Sequence, residues 1–452
     1  MKAETFVSPV TLGRLRDEGH QWVCESSGAR FPIVGGVPWL LPDARVSWSE
    51  WKHRTQALVA HYERFAQTLK ESLKNPALSP STRSRIEGTR ETTLRHVEFL
   101  RDVLSPLKPQ TKLQGELASA FGYSVPANQG LLGYFPNLVR DWSASHGENE
   151  ASFAILKAAL GTREPGTTLV LGSGGGRLAF DFHDSIQTRG VPTYCADINP
   201  ILTYSAKRIF EGETLKVCEF PVAPRDLEAA KGAVHACRAP KHASDGLHVL
   251  FADAFALPFA DGALDTVITP WLVDIVPHRF EAIVREINRV LKVGGAWVNT
   301  GSFNFRLDDV SDRISPEEGL ESLAQNGFVP EHSSRDKVPY LVSKLDSHER
   351  HEWLFSFRAA KKSEAPRERV EFLPEWFMDA SKPVQAHPSW QMQFISLESQ
   401  AFVLSLIDGK RGLGEIAQLL AQRYQLPEQD ALDAAAGFLR RLHDDAIFTR
   451  TS

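Results

Sequence analysis

Residues 168–178 read Thr-Leu-Val-Leu-Gly-Ser-Gly-Gly-Gly-Arg-Leu, and no other stretch constrains the fold as tightly. An apolar, β-prone run enters glycines at alternate positions. A helical pattern (Leu178, Phe180, Phe182) follows at once. A strand that turns this sharply into a helix needs residues without Cβ at the turn. The missing side chains let a ligand lie against the backbone near the positive end of the helix. A GxGxG serves several nucleotide-bearing ligands, so its surroundings must decide among them.

A second strand, within residues 191–200, ends in Asp197. The gap from Gly176 matches the distance of about 20 residues at which an acid meets ribose hydroxyls. A third strand, 247–251, runs into Ala252-Asp253-Ala254-Phe255 and then Leu257-Pro258-Phe259. A fourth, 264–269, follows closely. An amphipathic helix over 279–291 is closed by Lys292-Val293-Gly294-Gly295, and a fifth strand covers 296–300. Strands alternating with helices predict an α/β fold with a parallel sheet.

Composition narrows the function classes. A length of 452 residues predicts two to three domains. A net charge of −5 leaves no basic surplus to neutralise phosphates, so a nucleic-acid partner is not expected. The start, Met1-Lys2-Ala3-Glu4-Thr5, lacks the apolar core of a signal peptide. No apolar run reaches the roughly 18 residues of a membrane span. Cys24, Cys195, Cys218 and Cys237 are scattered without CxxC spacing. That argues against a zinc site or a disulfide framework and fits a reducing, cytoplasmic setting.

The order of the glycine loop, Asp197, "ADAFALPF" and "REINRVLKVGGAWV" resembles the class I S-adenosylmethionine-dependent methyltransferases. A dehydrogenase would need a nicotinamide half-site and usually a second βαβαβ set, and neither is evident. The resemblance implies a Rossmann-like seven-stranded core over residues 161–360, with S-adenosyl-L-methionine as cofactor.

Four further stretches resemble the carnosine N-methyltransferase family across residues 137–358: "NLVRDWS" (137–143), "LGSGGGRLAF", "TPWLVDIVPH" (269–278) and "GGAWVNTGSFNF" (294–305), the last followed by "ISPEEGLESLAQNGFVPE". The resemblance implies that Arg140 pairs with the methionine carboxylate and that Asn137 helps hold the same end. Gly172, Ser173, Gly174 and Pro270 then border the cofactor. Asp197 accepts the ribose hydroxyls, and Asp253 accepts the adenine amine near the Ala254 N–H. A surface helix position for Arg140 and a helix cap for Asp197 are the structural alternatives.

Asp274 is the candidate catalytic and substrate residue, holding an imidazole; its alternative is a cap on the helix beginning near Pro277. His278, Arg306 and Tyr340 are further substrate candidates. The family has a histidine where this chain has Asn304-Phe305-Arg306, so carnosine itself is not the expected substrate. Arg306 either binds an acidic group or faces solvent. His348 and His351 read as surface histidines rather than metal ligands.

Three flanking regions complete the organisation. Residues 1–46 form a small β-rich module whose "FPIVGGVPWLLP" resembles a Trm112-like zinc ribbon, without its paired cysteines. Residues 47–160 read as helical, including the segment 130–142. An insertion over 215–246, rich in Ala, Lys, Arg and His, reads as a helix plus a mobile loop. Residues 384–452 resemble a PqqD-like winged-helix domain through "IDGKRGLGEIAQL" and "LRRLHDDAIF". That resemblance implies a leader-peptide partner, docked by adding a strand to a sheet edge. The combined expectation is N-methylation of an imidazole in a peptide or histidine-containing small molecule. The alternatives are a small-molecule methyltransferase with terminal domains for association, including a homo-oligomer, and a non-catalytic peptide-binding protein.

Overall fold

The computed structural model describes residues 1–107, 134–143, 146–186, 190–307, 309–366, 382–384 and 388–451. Residues 130–133 of the segment preceding the core, and 108–129 of the helical region, lie outside the described residues. The chain divides into one unit of residues 1–66 and 77–372 and a second of 67–76 and 373–452.

In chain order, β1 (Leu15–Asp17), β2 (Gln21–Cys24), β3 (Arg30–Val34) and β4 (Val37–Leu40) are followed by helices α1 (Ala44–Ser72), α2 (Pro80–Val103), α3 (Phe135–Trp142) and α4 (Glu148–Leu160). The core runs β5 (Thr168–Leu171), α5 (Arg177–Ser185), β6 (Thr193–Asp197), α6 (Pro200–Phe210), β7 (Leu215–Glu219), β8 (Ala233–Cys237), β9 (Leu247–Ala252) and β10 (Leu264–Pro270). It continues with α7 (Phe280–Val290), β11 (Leu291–Gly301), α8 (Pro316–Gln325), β12 (Phe328–Pro339) and β13 (His351–Lys361).

Seven strands in the order β9-β6-β5-β10-β11-β13-β12 form the α/β core. The first five pair in parallel, and β13 is antiparallel to both neighbours. The parallel strands are rich in buried apolar residues because helices cover both sheet faces, as in β5, where all four residues are buried.

The amino-terminal strands are not a separate module. Strand β4 pairs in parallel with β9, Trp39 opposite Phe251, and β3, β2 and β1 extend the sheet to eleven strands. Trp39 and Leu40 have no exposed surface, and the Trp39 ring lies 4.1 Å from that of Phe251. The β9 edge, otherwise open to pairing with other chains, is thereby closed.

The insertion over 215–246 also departs from expectation. It is an antiparallel hairpin, β7 against β8, with only a short helical turn at Ala229–Lys231. Leu215, Val217 and Cys218 are buried in β7, and a period-two pattern in β8 wins over the helix-prone composition of the connecting loop. The hairpin is anchored where the Cys218 thiol donates to the Thr92 carbonyl (3.4 Å) and the Cys237 thiol to that of Leu138 (3.5 Å).

In the second unit α9 (Pro388–Ser405), α10 (Leu413–Tyr424) and α11 (Glu428–Thr451) pack around Val403, Ile416, Leu420, Ala431 and Ala435. No strand occurs among its described residues, so the sheet edge expected to receive a leader strand is not among them; residues 445–448 continue α11 instead. Among the described residues no helix is long and apolar enough to cross a membrane.

Candidate active site

The carboxyl ends of the parallel strands open onto a cavity of about 260 Å3, the place where α/β sheets bind ligands. At the end of β5, Gly174 adopts a φ of +56°, and a Cβ there would point into space empty to 4 Å. Its N–H donates to Asp197 Oδ2 (2.9 Å), while Oδ1 accepts from the Asn199 N–H (2.9 Å). The cap of α6 is Asn199, whose side chain accepts from the Ile201 N–H, so Asp197 is not a helix cap. Burial raises the Asp197 pKa against these backbone donors.

Helix α3 is bound to the glycine loop, which explains why "NLVRDWS" and "GGGRL" occur together. Trp142 Nε1 donates to the Gly175 carbonyl (2.7 Å), and Arg177 Nη1 to that of Asp141 (3.0 Å). The Asn149 amide, on α4, caps the carbonyls of Arg140 and Asp141 (3.0 and 3.2 Å). Arg140 is not a surface residue. It forks onto Asp141 Oδ1 through Nε (2.8 Å) and Nη2 (2.7 Å). Burial alone would lower its pKa, but the facing Asp141 carboxylate raises it and keeps the guanidinium charged.

The opposite end of the cavity is set by α7. Glu286 accepts the Leu257 N–H (2.6 Å), and Arg289 donates to the carbonyls of Leu257 and Phe259 (2.8 and 2.7 Å). These bonds fix the loop after β9, where Asp253 accepts the Phe255 N–H (2.8 Å) and burial raises its pKa. His278 packs its ring edge-on to Phe255 at 4.6 Å, and burial lowers its pKa, favouring the neutral imidazole. His278 therefore sits at the same end as Asp253.

Beyond β10 the backbone turns abruptly. Trp271 has a φ of +51° and donates its N–H to the Thr300 carbonyl (3.0 Å). Strain of this kind in a bulky residue concentrates at functional sites. Asp274, 8% exposed, accepts the Asn304 N–H on Oδ2 (2.9 Å), and its buried Oδ1 has no hydrogen-bond partner among the described residues. Helix α7 begins only at Phe280, so Asp274 caps nothing. The Tyr340 ring lies 4.6 Å from that of Trp271; burial raises its pKa, against the nearby Arg140 guanidinium and Asn137 side chain.

Asn137, Arg140, Gly172, Ser173, Gly174, Asp197, Asp253, Ala254 and Pro270 all line the one cavity, as does His278. Asp274 and Tyr340 stand behind that lining, next to Trp271. Arg306 is exposed and away from it, leaving the solvent-facing alternative. His348 and His351 are exposed as well. Among the described residues no cluster of His, Cys, Asp and Glu has metal-site geometry.

Sequence reasoning misses three residues of the wall. Tyr134 lines the cavity just ahead of α3. Trp51 lies in a helical stripe that reads as core, yet it also faces the cavity. Trp271, directly after the strand-ending Pro270, carries the one local signal, since the carboxyl ends of strands border the ligand crevice in open α/β sheets.

Residues 169–298 match the family model described as a methyltransferase domain. Residues 396–447 match the model for coenzyme PQQ synthesis protein D. No curated protein matches the chain. Among solved structures, an S-adenosylmethionine-dependent methyltransferase from Aquifex aeolicus is 14% identical, covering 50% of this chain and 97% of its own, with a TM-score of 0.33. A geranyl diphosphate methyltransferase in complex with geranyl diphosphate and sinefungin is 17% identical, covering 52% and 86%, with a TM-score of 0.32. The chain thus matches a methyltransferase-domain model within its α/β core and a PqqD model within its second unit.

Proposed function

We propose that the protein is an S-adenosylmethionine-dependent N-methyltransferase acting on an imidazole nitrogen of a histidine-containing peptide. The observation that carries this reading is Asp274, a buried carboxylate with one oxygen fixed by the Asn304 N–H and the other without a partner among the described residues. Such an oxygen suits an imidazole N–H, whose acceptance leaves the second ring nitrogen as a lone-pair nucleophile. The same carboxylate stabilises the cation that develops as the bond to that nitrogen forms.

The cavity suits the cofactor. The empty space beside Gly174, the Asp197 carboxylate and the charged Arg140 match a nucleoside ribose at one end and an amino-acid carboxylate at the other. Asn137 supports the carboxylate end, Asp253 and the Ala254 N–H the adenine, and Pro270 the floor. When bound, S-adenosylmethionine supplies a methyl group on a cationic sulfur. The chain's own contribution is alignment, worth several kcal/mol and up to about 7–11 in ideal intramolecular cases. Neutral imidazole needs no dedicated base, so none is assigned.

The PqqD domain supports a peptide substrate. A leader held there raises the effective concentration of the attached histidine at the catalytic cavity. The reading is tested by titrating the full chain with S-adenosylhomocysteine and by incubating it with histidine peptides with and without a leader. Heat on titration and faster methylation of the leader-bearing peptide are expected. Absence of binding sinks the catalytic reading, and equal rates on both peptides sink leader docking.

A further inference from the structure

The connection between β12 and β13 is not a free hairpin loop. Residues 340–347 form a strap tied down at both ends. Glu148, the first residue of α4 and only 3% exposed, accepts the N–H groups of Leu341 (2.9 Å) and Val342 (2.8 Å). Leu341 adopts a φ of +50° between Tyr340 and this clamp. At the far end Asp346 accepts the Ala223 N–H (2.7 Å), the Arg225 N–H donates to the Leu345 carbonyl (2.8 Å), and the Ser347 N–H to that of Ala223 (2.9 Å). In the middle Ser343 Oγ accepts the Leu345 N–H (3.0 Å).

A carboxylate buried this deeply is costly unless it receives strong donors, and here both are backbone groups of the strap. A left-handed leucine is a strained conformation that persists only where its surroundings impose it. Both features fall immediately after Tyr340, whose ring packs on Trp271 in the cavity wall.

We propose that Glu148 is a positioning residue: by holding the Leu341 and Val342 amides it fixes Tyr340 against Trp271, whose indole lines the cavity, and so presets the wall that the methyl acceptor meets. This rests on the methyl-transfer reading for its purpose, but not for its geometry. The β7–β8 hairpin holds the other end of the same strap and so belongs to the acceptor side of the molecule.

The test is Glu148→Gln in the full chain, with Glu148→Asp as the conservative variant should the first fail to fold. An amide has one oxygen to offer and turns an NH2 group toward the second backbone donor. Amide hydrogen exchange at Leu341 and Val342 is expected to quicken at least tenfold in Glu148→Gln and less in Glu148→Asp. The dissociation constant of S-adenosylhomocysteine is expected to stay within threefold, while KM for a histidine peptide rises at least tenfold with a smaller change in kcat. In a Tyr340→Ala background, which removes the ring that packs on Trp271, the Glu148→Gln effect on KM should disappear, because the two act as one unit. Unchanged exchange in Glu148→Gln, or its full KM effect persisting with Tyr340→Ala, overturns the proposal. A wild-type chain that binds no S-adenosylhomocysteine defeats the methyl-transfer reading instead, and amide exchange still decides the role of Glu148.

Discussion

His96 shows how one side chain can set the pH range of the fold. It is fully buried on α2, both ring nitrogens lack hydrogen-bond partners among the described residues, and the rings of Tyr62 and Phe135 meet it edge-on at 4.4 and 4.3 Å. Burial lowers its pKa from 6.5 to about 4. The folded state thus prefers the neutral ring. Its contribution is complete above pH 6.5 and is lost as the pH falls toward 4, up to about 3 kcal/mol. His96→Phe should flatten the acid limb of a stability curve measured by urea unfolding between pH 7 and 4; an unchanged limb would remove His96 from the account. At Asp274 the prediction concerns turnover. Asp274→Asn should lower kcat/KM about 100-fold, the scale for losing one group that stabilises developing charge, with cofactor affinity within threefold. Equal loss of both would end its assignment to substrate.

At the scale of elements, α7 braces the loop that carries Asp253. Arg289→Ala removes two charge-assisted bonds to the carbonyls of Leu257 and Phe259. S-adenosylhomocysteine binding should weaken roughly tenfold or more by calorimetry, from about 1.5–3 kcal/mol per such bond. The elements of this brace are legible in the sequence: the glycine turn, the acids at strand ends and the helix 279–291 form a local grammar in which each element depends on its neighbours along the chain. The hairpin is not legible in this way. Residues 215–237 carry helix-prone Ala and Lys, and only long-range packing on α2 and α3 makes them strands. The continuation of the sheet by β1–β4 is likewise hidden, since no local pattern announces that Trp39 will meet Phe251. In the site, the cofactor-side residues placed by motif all reach one cavity, whereas Trp51, Tyr134 and Glu148 take their places through tertiary contacts alone.

For the whole molecule, the eleven-stranded sheet ties stability to its first forty residues. Trp39→Ala should cost about 3–5 kcal/mol, the range for emptying a fully buried tryptophan site, read as a lowered urea midpoint with an unchanged helical fraction in the second unit. The two units can be tested apart. Substitutions at the exposed Phe394 or Leu397 of α9 should leave S-adenosylhomocysteine binding intact, and any loss confined to leader-bearing peptides would assign that surface to the leader.

The pairing of Trp39 with Phe251 carries a kinetic consequence. During synthesis, β4 leaves the ribosome long before the strand it must lie beside has been made. Contacts so distant along the chain close late, because their loop-closure entropy must be met first. The apolar side chains of Trp39 and Leu40 therefore wait without their strand partner until β9 has been made, and a nascent chain arrested before residue 247 should be the form that chaperones retain.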